Sequence, residues 1–103
     1  MAGVIWTEVA RLDLDEITDY IARDSMQYAQ AVLEKILETA KRIPEQPKMG
    51  RMVPELEDEV VRERFIYSYR LIYEIRGQQI IILALIHGPR LLLENMGDRF
   101  GTV

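Results

Sequence analysis

The residues of this chain best suited to chemistry are one histidine and several arginines in its C-terminal half. His87 is the only histidine, and it directly follows an apolar run, Ile80–Ile86. Arg70 lies in an earlier predicted strand, and Arg90 follows a Gly-Pro pair. An imidazole can exchange a proton near neutral pH, and a guanidinium group can hold phosphate oxygens. These side chains therefore include what cleavage of RNA through its 2′-hydroxyl requires: an acid or base, and positive charge.

The same side chains also have structural interpretations. A histidine at a strand end commonly binds a nearby carbonyl or carboxylate, and this interpretation of His87 is favoured. Arg70 can pair across strands with Glu63 or Glu74, and the sequence does not separate such a pair from contact with a partner. Arg90 is expected to be exposed after its proline and available to a partner.

The remaining arginines and the acidic residues are interpreted mainly as surface charges. Arg62 and Arg64 are typical of solvated strand arginines, although both could add phosphate contacts. Arg51 is expected to pair with the acidic run Glu55–Glu59. The carboxylates near the N-terminus are interpreted as a solvated helix face rather than a metal site: Asp13, Asp15, Glu16 and Asp19.

No pattern for a metal or cofactor site is present in the sequence. The chain has no cysteine and only one histidine. It also has no glycine-rich phosphate loop, Ser/His/Asp arrangement or zinc-ligand spacing. We therefore expect neither a metal nor a cofactor.

The first half of the chain predicts a short strand and a helical hairpin. Val4–Trp6 has strand character, and Thr7 can cap the helix that follows. Asp24 with Gln27 fits a capping box for a second helix. Apolar residues at helical spacing form one face in each helix: Ala10, Leu14, Ile17 and Ile21, then Ala29, Leu33, Ile36, Leu37, Ala40 and Ile43. Pro44 and Pro47 end the second helix.

The second half predicts three antiparallel strands. A solvated loop, residues 48–59, precedes strands over residues 60–67, 69–76 and 79–87, which short turns connect. The last strand is apolar on both faces, so it is either central and covered twice or awaits a partner chain. The conformation of residues 91–103 is left open.

These elements predict a single α+β domain over residues 1–103. A helical hairpin packs on a small, mainly antiparallel sheet, in the order β-α-α-β-β-β. The net charge of −4 and pI of about 5.0 argue against a large nucleic-acid surface. No secretion signal and no apolar run of membrane-spanning length is present. A cytoplasmic protein is expected.

This order of elements and a set of short motifs resemble the RelE/ParE family of type II toxin–antitoxin toxins. The similarity spans roughly residues 4–93. The ParE-like branch of this family includes plasmid stabilisation proteins. No single motif is specific, but their order and spacing together are: Trp6-Thr7, Asp13-Leu14, Asp24-Ser25, Gly50-Arg51, Arg62-Glu63, the Tyr69–Tyr73 stretch and His87-Gly88 with Arg90.

The resemblance implies one of two activities. ParE-like members inhibit DNA gyrase through protein contacts, whereas RelE-like members cut mRNA on the ribosome. The acidic charge, Glu63 where RelE-like strands carry lysines, and the lack of a tyrosine after Arg90 favour the ParE-like branch, and hence a non-enzymatic toxin. The alternative nuclease would use Arg70, His87 and Arg90.

Both branches imply a cognate antitoxin and a higher-order hetero-oligomer with it. The antitoxin's C-terminal segment is expected to fold onto this chain on binding. The residues expected to bind partners are Arg62, Arg70, His87, Arg90, Leu91 and Leu92.

Overall fold

The computed structural model describes residues 3–88, which contain two α-helices and five strands. The elements are β1 Gly3–Trp6, α1 Glu8–Ala22, α2 Met26–Arg42, 3-10 helices Ile43–Glu45 and Pro47–Met49, β2 Arg51–Met52, β3 Val61–Ile66, β4 Tyr69–Arg76 and β5 Gln79–His87.

Side-chain caps begin both α-helices. The Thr7 hydroxyl accepts a hydrogen bond from the Ala10 amide at 3.1 Å, as the sequence predicted. The second cap was wrongly assigned to Asp24, because the Ser25 hydroxyl accepts from the Tyr28 amide at 3.1 Å. Helix α2 ends at Arg42, and Pro44 lies in the 3-10 turn that follows. Each cap satisfies one amide that the helix itself leaves unpaired.

The five strands form one mixed sheet in the order β1-β5-β4-β3-β2. The three predicted strands are present and antiparallel, and β1 adds to β5 in parallel. The predicted loop before them contains the short strand β2, which pairs with β3 at one edge of the sheet. A strand of only two residues gives no alternating pattern from which it could have been recognised.

Apolar residues cover both faces of β5, an interior strand of the sheet. On the helix face, Ile80 and Ile82 join a core with Val32, Ile36 and other helix residues. On the opposite face, a second cluster contains Val53, Val61, Ile72, Ala84 and Ile86. The structure therefore shows the first of the two alternatives that the sequence left open: β5 is an interior strand, and both of its faces are covered within this chain.

The described residues form the α+β arrangement predicted from the sequence. The α1–α2 hairpin packs on one face of the sheet, and the segment containing Val53 and Leu56 packs on the other. Neither α-helix within residues 3–88 has the length and apolar content needed to cross a bilayer.

Candidate functional site

The sheet places Arg70 and His87 on opposite faces. In the β4–β5 register, Tyr69 pairs with His87 and Arg70 pairs with Ile86. Successive side chains of a strand point to opposite faces. The His87 ring contacts Tyr69, which packs on the helix-face core, whereas Arg70 lies on the other face among carboxylates. The two side chains therefore do not share a site.

Arg70 is buried and holds two carboxylates at once. Its Nε and Nη2 atoms donate to Glu63 Oε1 at 2.8 and 2.5 Å. Its Nη1 and Nη2 atoms donate to the two oxygens of Glu55, each at 3.0 Å. The side chain of Glu63 is fully buried and that of Arg70 is 7% exposed. The pair with Glu63 is one of the alternatives that the sequence left open for Arg70, and a second carboxylate from the preceding loop extends it.

Arg51 completes this arrangement, which we call the Arg70 cluster: Arg51, Glu55, Glu63 and Arg70. The Arg51 Nε donates to Glu63 Oε2, so Arg51 pairs with Glu63 and not with the acidic run expected from the sequence. Its guanidinium also lies 5.2 Å from the centre of the Phe65 ring. A buried carboxylate needs such compensation, because an unpaired charge is costly inside a protein.

The contacts within the cluster favour the charged forms of Glu55 and Arg70. Hydrogen bonds from Arg70 hold the pKa of Glu55 below its ordinary value of 4.5, against the effect of burial. The bonds to Glu55 and Glu63 raise the pKa of Arg70. Arg70 is therefore a fixed cation that joins strands β3 and β4 to the loop containing Glu55.

Arg62 lies on the helix face and also has backbone partners. Its Nε donates to the Glu59 carbonyl at 2.8 Å and its Nη1 to the Gly50 carbonyl at 3.3 Å. In the sheet register, Arg62 is opposite Tyr73 of β4, and His87 is opposite Tyr69 of the same strand. Tyr69 and Tyr73 are four residues apart. At about 3.3 Å per residue, roughly 13 Å of strand separates the two positions. Arg62 and His87 are thus on the same face but far apart.

His87 instead lies at the mouth of a cleft between helix α1 and the ends of β4 and β5. We call it the strand-end cleft, and its volume is about 640 Å³. Helix α1 contributes Asp13, Glu16, Ile17, Asp19, Tyr20 and Arg23, and the strands contribute Tyr69, Leu85, Ile86 and His87.

The cleft forms because β5 is longer than its neighbour β1. The β1–β5 pairing ends at Trp6 and Ile82, where the chain turns into α1. Asp13 lies on the helix directly above the free edge, and its Oδ2 accepts a hydrogen bond from the Leu85 amide at 3.0 Å. The interpretation of Asp13 as a solvated helix residue is therefore wrong, because its carboxylate binds a backbone amide of β5 at a position where no strand within residues 3–88 pairs on that side.

Tyrosine rings gather around the same end of the molecule. The His87 and Tyr69 rings meet edge to face, with centroids 5.4 Å apart. Tyr28 and Tyr67 lie 6.4 Å apart nearby, and Tyr20 is 67% exposed. Burial raises the pKa of Tyr69, with smaller contributions from Tyr28 and Tyr20. The Tyr69 phenol group is therefore uncharged, and its ring lies beside the carboxylates of the cleft.

Three of the predicted partner-binding residues, Arg90, Leu91 and Leu92, lie outside the described residues. Within residues 3–88, no group of three or more acidic, histidine or cysteine side chains is arranged to hold a metal. One feature of the sequence indicates the helix side of the cleft, the i, i+3 and i+7 spacing of Asp13, Glu16 and Tyr20 along one helix face. Nothing in that spacing indicates that the face meets a strand end.

Comparison with known proteins identifies relatives of this fold. Residues 4–92 match the family model described as the ParE toxin of the type II toxin–antitoxin system parDE. No curated protein sequence gives a significant match.

Several solved structures resemble the chain, among them two from toxin–antitoxin systems. A chromosomal ParDE toxin–antitoxin system from P. aeruginosa is 26% identical, with a TM-score of 0.69 over 84% of this chain and 96% of that one. The RelBE2 toxin–antitoxin complex from Mycobacterium tuberculosis is 23% identical, with a TM-score of 0.52 over 82% of this chain and 95% of that one. The second likeness concerns the fold alone.

Proposed function

Because the chain belongs to the ParE toxin family of type II toxin–antitoxin systems, we propose that it acts on DNA gyrase through protein contacts rather than by cutting RNA. The observation that carries this proposal is the environment of His87. This histidine lies in a cleft with three carboxylates, Asp13, Glu16 and Asp19. Negative charge around it opposes the approach of a phosphate backbone.

The position of Arg70 supports the same proposal. Transition-state stabilisation in RNA cleavage needs a cation beside the reacting phosphate. Arg70 is bound by Glu55 and Glu63 on the face of the sheet opposite to His87. Its positive charge is largely balanced by these carboxylates, so it serves the fold instead of a phosphate.

We further propose that a cognate antitoxin neutralises the protein and forms a higher-order hetero-oligomer with it. Both resembling structures come from toxin–antitoxin systems. Arg90, Leu91 and Leu92 remain proposed partner contacts. The proposed target, gyrase, is a cytoplasmic enzyme, and we expect the protein to act there.

Expression in cells tests the choice of target. Induced protein should stop growth, induce the response to DNA breaks, and leave mRNA intact in translating cells. Co-expression of the antitoxin encoded beside it should restore growth. A His87→Gln variant provides the comparison for the nuclease alternative. Ribosome-dependent mRNA cuts that disappear in His87→Gln would establish that alternative instead.

A further inference from the structure

The strand-end cleft is a concave site whose charge and aromatic lining are not explained by the fold. Its volume of about 640 Å³ falls in the range typical of sites that enclose a ligand group. Asp13 has a structural role at Leu85. Glu16 and Asp19 form no ion pair within residues 3–88.

The cleft carries more negative than positive charge. Among the described residues, Asp13, Glu16 and Asp19 line it together with one cation, Arg23. Arg23 is spaced to pair with Asp19 on the helix, but this pair is not formed in the described structure. Carboxylates on a concave surface concentrate negative potential and favour a positively charged ligand.

Aromatic rings lie beside those carboxylates. Tyr20 is part of the cleft lining and is 67% exposed, so its ring is accessible to a ligand in the cleft. Tyr69 lines the strand side of the cleft, edge-on to His87. An aromatic face next to carboxylates favours a guanidinium group, which stacks on the ring and donates in-plane hydrogen bonds to the acids.

We propose that the strand-end cleft binds an arginine side chain presented by the antitoxin. The guanidinium stacks on Tyr20 and donates to Glu16 and Asp19, while Asp13 continues to hold the Leu85 amide. Arginine fits better than lysine, because a planar fork can use a ring face and two carboxylates at once. This inference rests on the proposed function, whose antitoxin partner it makes more specific.

A toxin variant with two substitutions in the strand-end cleft, called the cleft variant, tests this proposal through its affinity for the antitoxin. The variant combines Glu16→Gln and Asp19→Asn, which remove both unpaired charges and keep the side-chain shapes. A matched control, Asp15→Asn with Glu34→Gln, makes the same change of charge and residue types at exposed helix positions outside the cleft. We expect the antitoxin affinity of the cleft variant to fall about tenfold or more, and that of the control to stay within about twofold.

Substitutions of Tyr20 separate stacking from hydrogen bonding. Tyr20→Phe keeps the aromatic face and should retain affinity, whereas Tyr20→Leu should weaken binding. Each arginine of the antitoxin is then replaced by glutamine in turn. At one position, the effect of this replacement on the toxin–antitoxin affinity should not be additive with the effect of the cleft variant. Thermal unfolding of each toxin variant establishes that its fold is intact.

Each alternative occupant gives a different result. Unchanged antitoxin affinity in the cleft variant, or no coupled arginine in the antitoxin, would overturn the proposal. Self-association of the toxin alone that the cleft variant abolishes would assign the cleft to a second copy. Loss of gyrase inhibition with unchanged antitoxin affinity would assign it to gyrase. Gyrase inhibition by the unmodified protein is measured separately, so the proposed function can stand when the cleft assignment fails.

Discussion

At the scale of single residues, Arg70 is a structural cation whose removal should cost stability. Arg70→Ala leaves Glu63 buried with Arg51 as its one remaining ionic partner among the described residues, and it removes the ion pair that holds Glu55 to the sheet. Breaking a buried ion pair on one side typically costs about 3–5 kcal/mol. We expect the free energy of unfolding, measured by urea denaturation, to fall by about that amount.

A double substitution provides the comparison for Arg70→Ala. Glu63→Leu with Arg70→Met replaces the buried pair with apolar side chains and leaves no charge stranded in the interior. It should recover most of the lost stability, because apolar replacement of buried pairs is often close to neutral. An Arg70→Ala variant that unfolds at the same urea concentration as the original chain would show that the Arg70 cluster contributes little.

Glu55 should make the stability depend on pH in the acidic range. Its pKa in the folded chain lies below the ordinary value of 4.5, because Arg70 donates two hydrogen bonds to the carboxylate. The stabilisation is therefore fully present above pH 4.5 and disappears as pH falls through the lowered pKa. Glu55→Gln should lower the unfolding free energy at pH 7 by about 1–2 kcal/mol.

Urea denaturation between pH 3 and pH 7 checks this expectation. The difference between Glu55→Gln and the original chain should shrink as the pH decreases. Glu57→Gln is the control, because Glu57 is exposed in the same loop and forms no ion pair among the described residues. A difference that stays constant across the range would contradict the assigned role of Glu55.

At the scale of elements, Gly50 allows the segment before β2 to pack closely against the sheet. A Cβ atom at this position would lie 2.7 Å from the Glu63 carbonyl oxygen and would also meet the Tyr73 hydroxyl. That hydroxyl donates to the Pro47 carbonyl at 2.5 Å, so it cannot move without losing its partner. Gly50→Ala should reduce stability by about 1–3 kcal/mol.

Gly3 offers the matched substitution for this prediction. A Cβ atom added there meets nothing within 4 Å, and Gly3 is a strand residue without a positive φ angle. Gly3→Ala should change the melting temperature little, whereas Gly50→Ala should lower it clearly. Equal melting temperatures for the two variants would show that the segment shifts to accommodate the methyl group.

The elements themselves were largely predictable because their patterns are local. Helical spacing of apolar residues located α1 and α2, and short runs of strand-forming residues between turn signals located β3, β4 and β5. The cap at Ser25 was missed because the adjacent Asp24 is an equally good cap in sequence. The parallel pairing of β1 with β5 was missed because it joins distant segments of the chain.

The candidate site was less predictable for the same physical reason. The bond between Asp13 and Leu85 spans 72 positions, and helix spacing alone cannot indicate it. The burial of Glu63 follows from Arg51 and Arg70 approaching it from two neighbouring strands. Local sequence shows charged residues at these positions but not which of them compensate one another.

At the scale of the whole molecule, charge and family membership support the same target. The chain carries a net charge of −4, and its cleft next to His87 is lined by carboxylates. A protein that binds ribosomal RNA gains much of its affinity from positive charge. An acidic member of the ParE toxin family is therefore expected to recognise a protein surface, and gyrase is the proposed one.

The most direct test uses purified gyrase, relaxed plasmid DNA and ATP, with the protein added in increasing amounts. We expect supercoiling to decrease and cleaved DNA to accumulate, and prior addition of the antitoxin to restore supercoiling. Circular dichroism of the same preparation establishes that the protein is folded. Full supercoiling without cleaved DNA, at a several-fold excess of folded protein over gyrase, would contradict the proposed function.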